Sequence, residues 1–182
     1  MAREGMGLWF DQYACWRRKF RWLMNIDGNV SGKGINVLPP QKSARPSLSF
    51  KELETQHLNE TVYFPGKPDW KPIPLVLYDI ATNTNPVYEW IKAFYDPKNG
   101  LWTHANQLKR QATLKLLDGC GTTIETWTFD NAWPQVAEFG ELDMGSSEVV
   151  MCELTLRYDR AYLLFPNEVP AVSPNFTLSS TP

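Results

Sequence analysis

The sequence predicts a mainly β protein: two packed antiparallel sheets flanked by one short α-helix. Three observations carry this. Val150, Cys152, Leu154, Leu156 and Tyr158 share one face of a late strand, and Met151, Glu153, Thr155, Arg157 and Asp159 the other. Such alternation marks a half-buried strand, because successive side chains point to opposite sides of a sheet. Asp118-Gly119-Cys120-Gly121 supplies the positive-φ positions of a tight hairpin between the run of Ala112, Leu114 and Leu116 and the run of Trp127 and Phe129. Helical spacing occurs at Val87, Trp90, Ile91 and Phe94, behind Asn85 as N-cap and Pro86 as first helical residue.

The elements follow in order. Residues 1–18 read as an extension with aromatic and basic residues and no clear period. Phe20, Trp22, Met24 and Ile26 then alternate with Arg21, Leu23 and Asn25 as a first strand ending at Asp27-Gly28. Residues 30–46 are rich in Gly and Pro and read as loop. Leu48 and Phe50 fall on one side of a second strand at 47–53. Residues 54–70 form a long polar and aromatic excursion, and loops of that length inside a domain commonly bind a partner. Ile73, Leu75 and Leu77 alternate in the next strand, and Asp96 to Gly100 stops the helix that follows it. Ala132-Trp133-Pro134 reads as a corner and Gly145-Ser146-Ser147 as a polar turn before the last strand. The Pro- and Ser-rich tail over 163–182 reads as extended.

Composition narrows the function. A chain of 182 residues with 43% hydrophobic and 21% charged residues makes one soluble, folded domain of 19–162 with room for a core. Net charge is −2, so the overall balance offers no basic footprint for tight nucleic-acid binding, and the Arg17, Arg18, Lys19, Arg21 cluster reads as a solvated flank. No stretch reaches the roughly 20 apolar residues of a membrane helix, and the N-terminus lacks the shape of a secretory signal. Three cysteines in that setting suggest free thiols. Cys152 reads as core, while Cys15 and Cys120 are open to an intersubunit disulfide.

Catalytic grammar is missing. His57 and His104 have no partners at metal-ligand spacing, so neither a metal nor another cofactor is expected. Gly32-Lys33-Gly34 and Gly119-Cys120-Gly121 lack the rest of a phosphate cradle, and Ser146 and Ser147 do not sit in a nucleophile elbow. Glu125, Glu141, Asp143 and Glu153 offer carboxylates, but nothing pairs them. An enzyme is not expected.

The string ARPSLSFKELETQHLNETVYFPGKPDWKPIPLVLYD (44–79) resembles the tail tube proteins of contractile-tailed bacteriophages. So do the opening KFRWLMNIDG, the helix at 87–94, the Asp-Gly hairpin, and Ala132-Trp133-Pro134 followed by Leu142 and an alternating strand. The resemblance covers roughly 19–162. It implies a structural virion protein, with a fold shared with type VI secretion tube proteins. Hexameric rings whose inner strands join into a barrel would stack into a hollow tube inside a contractile sheath and carry the genome into the host. The segment at about 53–70 would be an arm reaching an adjacent subunit, with Leu58, Val62, Tyr63, Phe64 and Trp70 as interface residues. Implied partners are the chain itself, the sheath, a baseplate tube-initiator, a tail terminator, a tape measure protein, and double-stranded DNA held without sequence preference. The place of action would be the phage tail, assembled in the host cytoplasm. A tube-initiating baseplate paralogue of the same fold is the neighbouring alternative. A carbohydrate-binding β-sandwich that stacks sugars on Trp102 or Tyr63 is the other.

Overall fold

A computed structural model describes residues 17–27, 38–81, 85–104 and 108–165. Two antiparallel sheets share one strand. That strand is β9 (Thr123–Glu138), the longest of the described strands at 16 residues. Its first half pairs with β8 (Arg110–Leu117) on one side and β11 (Arg160–Leu164) on the other. Its second half pairs with β10 (Met151–Arg157). Beyond β8 lies β1 (Trp22–Ile26), and beyond β10 lie β5 (Ile73–Tyr78) and then β2 (Pro40–Ser43). Among the described residues the path β1-β8-β9-β10-β5-β2 has two free ends and does not close a barrel.

The passage between sheets falls where the sequence reads Ala132-Trp133-Pro134. Asn131 adopts φ +57° there. Thr155 faces Val136 and Leu156 faces Pro134, which leaves Gln135 as an extra residue. An inserted residue bends a strand and sharpens its twist, and a proline is tolerated beside it because the ladder is already broken. The corner is therefore a bulge inside a continuous strand.

Both inward faces carry the alternation expected of them. Cys152, Leu154, Leu156 and Tyr158 are buried from β10 onward, as are Ile73, Leu75 and Leu77 of β5 and Ala112 and Leu114 of β8. Phe129 is fully buried and meets the Tyr158 ring edge-on at 5.0 Å. Each buried Leu, Ile or Phe among them contributes about 1.5–3 kcal/mol by leaving water. Helix α1 (Pro86–Lys92) closes one side. Asn85 Oδ1 accepts from the Val87 and Tyr88 N–H groups at 3.0 and 3.2 Å, satisfying donors the helix cannot. Val87 and Trp90 are buried beneath it, Ile91 and Phe94 pack at the margin, and the Trp90 indole donates to the Leu108 carbonyl at 2.7 Å. The β8–β9 hairpin turns as its residues require. Asp118 Oδ1 accepts from Cys120 and Thr122 N–H, both at 2.8 Å, and Gly121 takes φ +90°.

Several expectations need correction. Phe20 precedes β1 and is 75% exposed, so the first strand begins at Trp22. Pro40–Ser43 is a strand where loop was expected. After Asp159 the chain turns back as β11 (Arg160–Leu164), a separate strand that the sequence pattern did not single out. Two-residue strands β6 (Tyr95–Asp96) and β7 (Leu101–Trp102) flank the Asp96 to Gly100 turn. The largest difference is the excursion at 54–70. It is a regular hairpin, β3 (Ser47–His57) with β4 (Glu60–Lys71), standing apart as its own two-stranded sheet. The terminal extensions, apart from Arg17, Arg18 and residues 163–165, lie outside the described residues, as does Cys15.

Candidate assembly interface

The hairpin is the feature a single chain cannot account for. Its strands have 11 and 12 residues, a reach of roughly 35 Å at about 3.3 Å per residue. Pairing runs from Ser47↔Lys71 to His57↔Glu60, with one register shift after Phe50. Gly66 sits at that shift, where an added Cβ would meet the Lys51 carbonyl oxygen at 2.7 Å; the close approach of the strands requires glycine. Leu58 forms the tip at φ +54° and is 94% exposed.

Pairing places Leu53 opposite Phe64 and Thr55 opposite Val62, so those apolar side chains share one face. Tyr63, opposite Glu54, takes the other face. Val62, Phe64 and Tyr63 are 40%, 50% and 59% exposed. A two-stranded hairpin is marginal by itself in water, and contiguous exposed apolar surface marks an interaction site. Of the residues the sequence singled out, Leu58, Val62, Tyr63 and Phe64 lie together on the free part of the arm. Trp70 does not. It sits at the root, half-buried against the core, with its ring 6.0 Å from Tyr158.

Charges fix the root as well. Asp69 accepts from Lys71 at 3.1 Å and from Arg157 of β10 at 3.4 Å. The hydrogen bond from Lys71, then its charge, holds the Asp69 carboxyl below its ordinary range. Beside the root, Trp70, Phe94, Trp102, Trp133 and Tyr158 line a cleft of about 720 Å³. Trp102 packs edge-on against Phe94 at 4.9 Å, and Tyr63 lies on the arm, so the two aromatics weighed for sugar stacking are on different elements.

A second surface was not legible in sequence. Glu125 is buried on β9, bonded to Arg17 and to the Trp127 indole, with Arg45 at 3.7 Å. It joins the flank before β1 to the segment before β3. Those positions lie far apart in sequence and meet only in the fold, so no local spacing announces it. Cys120 is exposed in its turn and Cys152 is buried, both as free thiols. Among the described residues no helix is long and apolar enough to cross a membrane.

The described fold leaves two sheet margins unpaired and holds the arm apart from both. The sequence profile of the T4-like virus tail tube protein gp19 family matches residues 49–161, more than half of the chain. The protein belongs to that family, which is one of structural tube proteins and not of enzymes. Comparison with curated protein sequences finds no match. Among solved structures, the chain is similar to the tube-terminating cap of the anti-feeding prophage, with TM-score 0.66 and 21% identity over 86% of this chain and 94% of that one. It is also similar to a chain of the sheath/tube terminator of an extracellular contractile injection system, PVC, in the extended state, at TM-score 0.64, 19% identity and 81% and 95% coverage. A chain of the PVC sheath-tube complex gives 0.62, 18%, and 85% and 93%. At such identities the likeness is one of fold.

Proposed function

We propose that this chain is the repeating subunit of a contractile phage tail's inner tube. Hexameric rings would form when the free margins of one chain pair with the next, closing a barrel that no single chain closes. Rings then stack inside a sheath, between a baseplate initiator and a terminator. A tape measure protein and then DNA occupy the lumen. The observation that carries this reading is the β3–β4 hairpin, a regular arm whose Leu58, Val62, Tyr63 and Phe64 stay at least 40% exposed among the described residues. Open sheet margins are a hazard in a monomer, and a closed ring removes them. Contacts repeated head to tail along an axis give an open polymer, as a tube requires.

A second reading, a tube-ending ring, is favoured by the similarity to the cap and terminator chains, whose TM-scores slightly exceed that of the tube chain. Electron microscopy of the purified protein separates them. Long hollow tubes support the first reading and discrete rings the second, while monodisperse monomers at high concentration would refute both.

A further inference from the structure

We infer that residues 138–149 of one copy dock into a cationic cleft of another copy, between the margins of β1 and β2. The cleft has a volume of about 480 Å³. Arg17, Arg18, Lys19, Arg21, Lys42 and Arg45 line it, over an apolar floor of Trp22, Leu114 and Leu116. Two carboxylates stand close by. Glu125 lies beneath Arg17 and Arg45, and Asp118, near Arg21, is turned toward the N–H groups of its own hairpin turn. Six cations against two carboxylates leave four positive charges in excess. Arg21 Nε and Ser43 Oγ are buried here without a hydrogen-bond partner among the described residues.

The segment 138–149 (EFGELDMGSSEV), which leaves β9 for β10, is the counterpart. It carries Glu138, Glu141, Asp143 and Glu148 and no cation. None of the four forms an ion pair among the described residues. Between them Leu142 and Met144 project almost fully into solvent. Four acids interleaved with two apolar side chains therefore face four excess cations around an apolar floor. The cleft lies over Glu125, near the start of β9, and the acidic segment begins at Glu138, at its end. The two surfaces share no residue, so the contact joins two molecules head to tail. Its consequence, growth of a polymer, rests on the tube reading; the contact itself does not.

The test uses the full-length chain and a labelled synthetic peptide of residues 138–149. The expected result is saturable binding that weakens with added salt and falls at least tenfold in the doubly reversed Arg18→Glu, Lys42→Glu protein. Both positions are exposed, so melting should match wild type. In assembly, Glu141→Lys with Asp143→Lys should block polymers, and combining both reversed pairs in one chain should restore them. No peptide binding overturns the inference, as does a Glu141→Lys, Asp143→Lys protein that assembles like wild type. Random-sequence duplex DNA displacing the peptide at lower concentration than unlabelled peptide also overturns it, assigning the cleft to nucleic acid. Peptide binding by a wild-type protein that never polymerises would sink the tube reading and leave this contact standing.

Discussion

The Trp70 and Tyr158 rings stand 6.0 Å apart at 53°, where the arm's second strand enters the sandwich. Trp70 is thereby the hinge pin of the hairpin, on the same strand as the exposed Val62, Tyr63 and Phe64. Trp70→Ala should cost about 2 kcal/mol, less than the loss of a fully buried Trp, because the ring is only half-buried. Hydrogen exchange should quicken along β3 and β4 while β9 and β10 keep their protection. Uniform quickening would show that arm and core unfold as one unit.

Excising residues 54–63 and joining Leu53 to Phe64 through Asn-Gly should leave the core intact. None of its described side chains belongs to the buried cluster, so thermal unfolding should stay cooperative with a midpoint within a few degrees of wild type. Polymers should vanish. Tubes of ordinary length from the shortened chain would remove the arm from the assembly.

How much of this was readable depended on range. Period-two runs such as Cys152, Leu154, Leu156 and the capped helix at Asn85 are local, and they fold as they read. The strand read at 47–53 is the start of β3, but the rest of the arm, expected as an excursion, was hidden as hairpin because its free part is exposed on both faces, and alternation is a signature of one-sided burial. Pro40–Ser43 has no apolar pattern and becomes a strand only through pairing with β5. The cleft over Glu125 collects residues about 100 positions apart, which no spacing rule reaches.

Leu154 tests the orientation of β10. It is 2% exposed and pairs across to Leu75 and Ala137. Leu154→Asp would bury a carboxylate without a partner, costing several kcal/mol, a large share of a domain's stability. Glu153→Lys, one residue away on the exposed face, should change the unfolding free energy by less than about 0.5 kcal/mol. Similar losses for both would mean the strand is covered on both faces.

The cysteines offer a chemical readout. In the native protein Cys120 should react with a maleimide within minutes, whereas Cys152, buried and with its thiol pKa pushed up chiefly by that burial, should react only on unfolding. Mass mapping of labelled peptides decides this. Rapid native labelling of Cys152 would show that β10 opens from the sheet.

Stability should fall off at both ends of the pH scale, for separate reasons. Asp159 is held below its ordinary pKa first by the hydrogen bond from Lys109, with Asn131 adding a second. A carboxyl depressed in the folded state stabilises above its unfolded value of about 3.9, and that contribution is lost as pH falls toward the folded value. The pair is 35% and 44% exposed, so solvent screening keeps it below about 1 kcal/mol. Burial raises the Cys152 thiol and the Tyr158 hydroxyl instead. Their contribution is complete below the unfolded values, about 8.5 and 10, and is lost as pH climbs past them. Urea midpoints measured from pH 3 to 11 should therefore trace a plateau with two shoulders. Lys109→Met should shrink the acid shoulder without abolishing it, because Asp69 and Asp118 are also held below their ordinary range, and leave the alkaline one; an acid shoulder unchanged by that substitution would assign it to those other carboxylates.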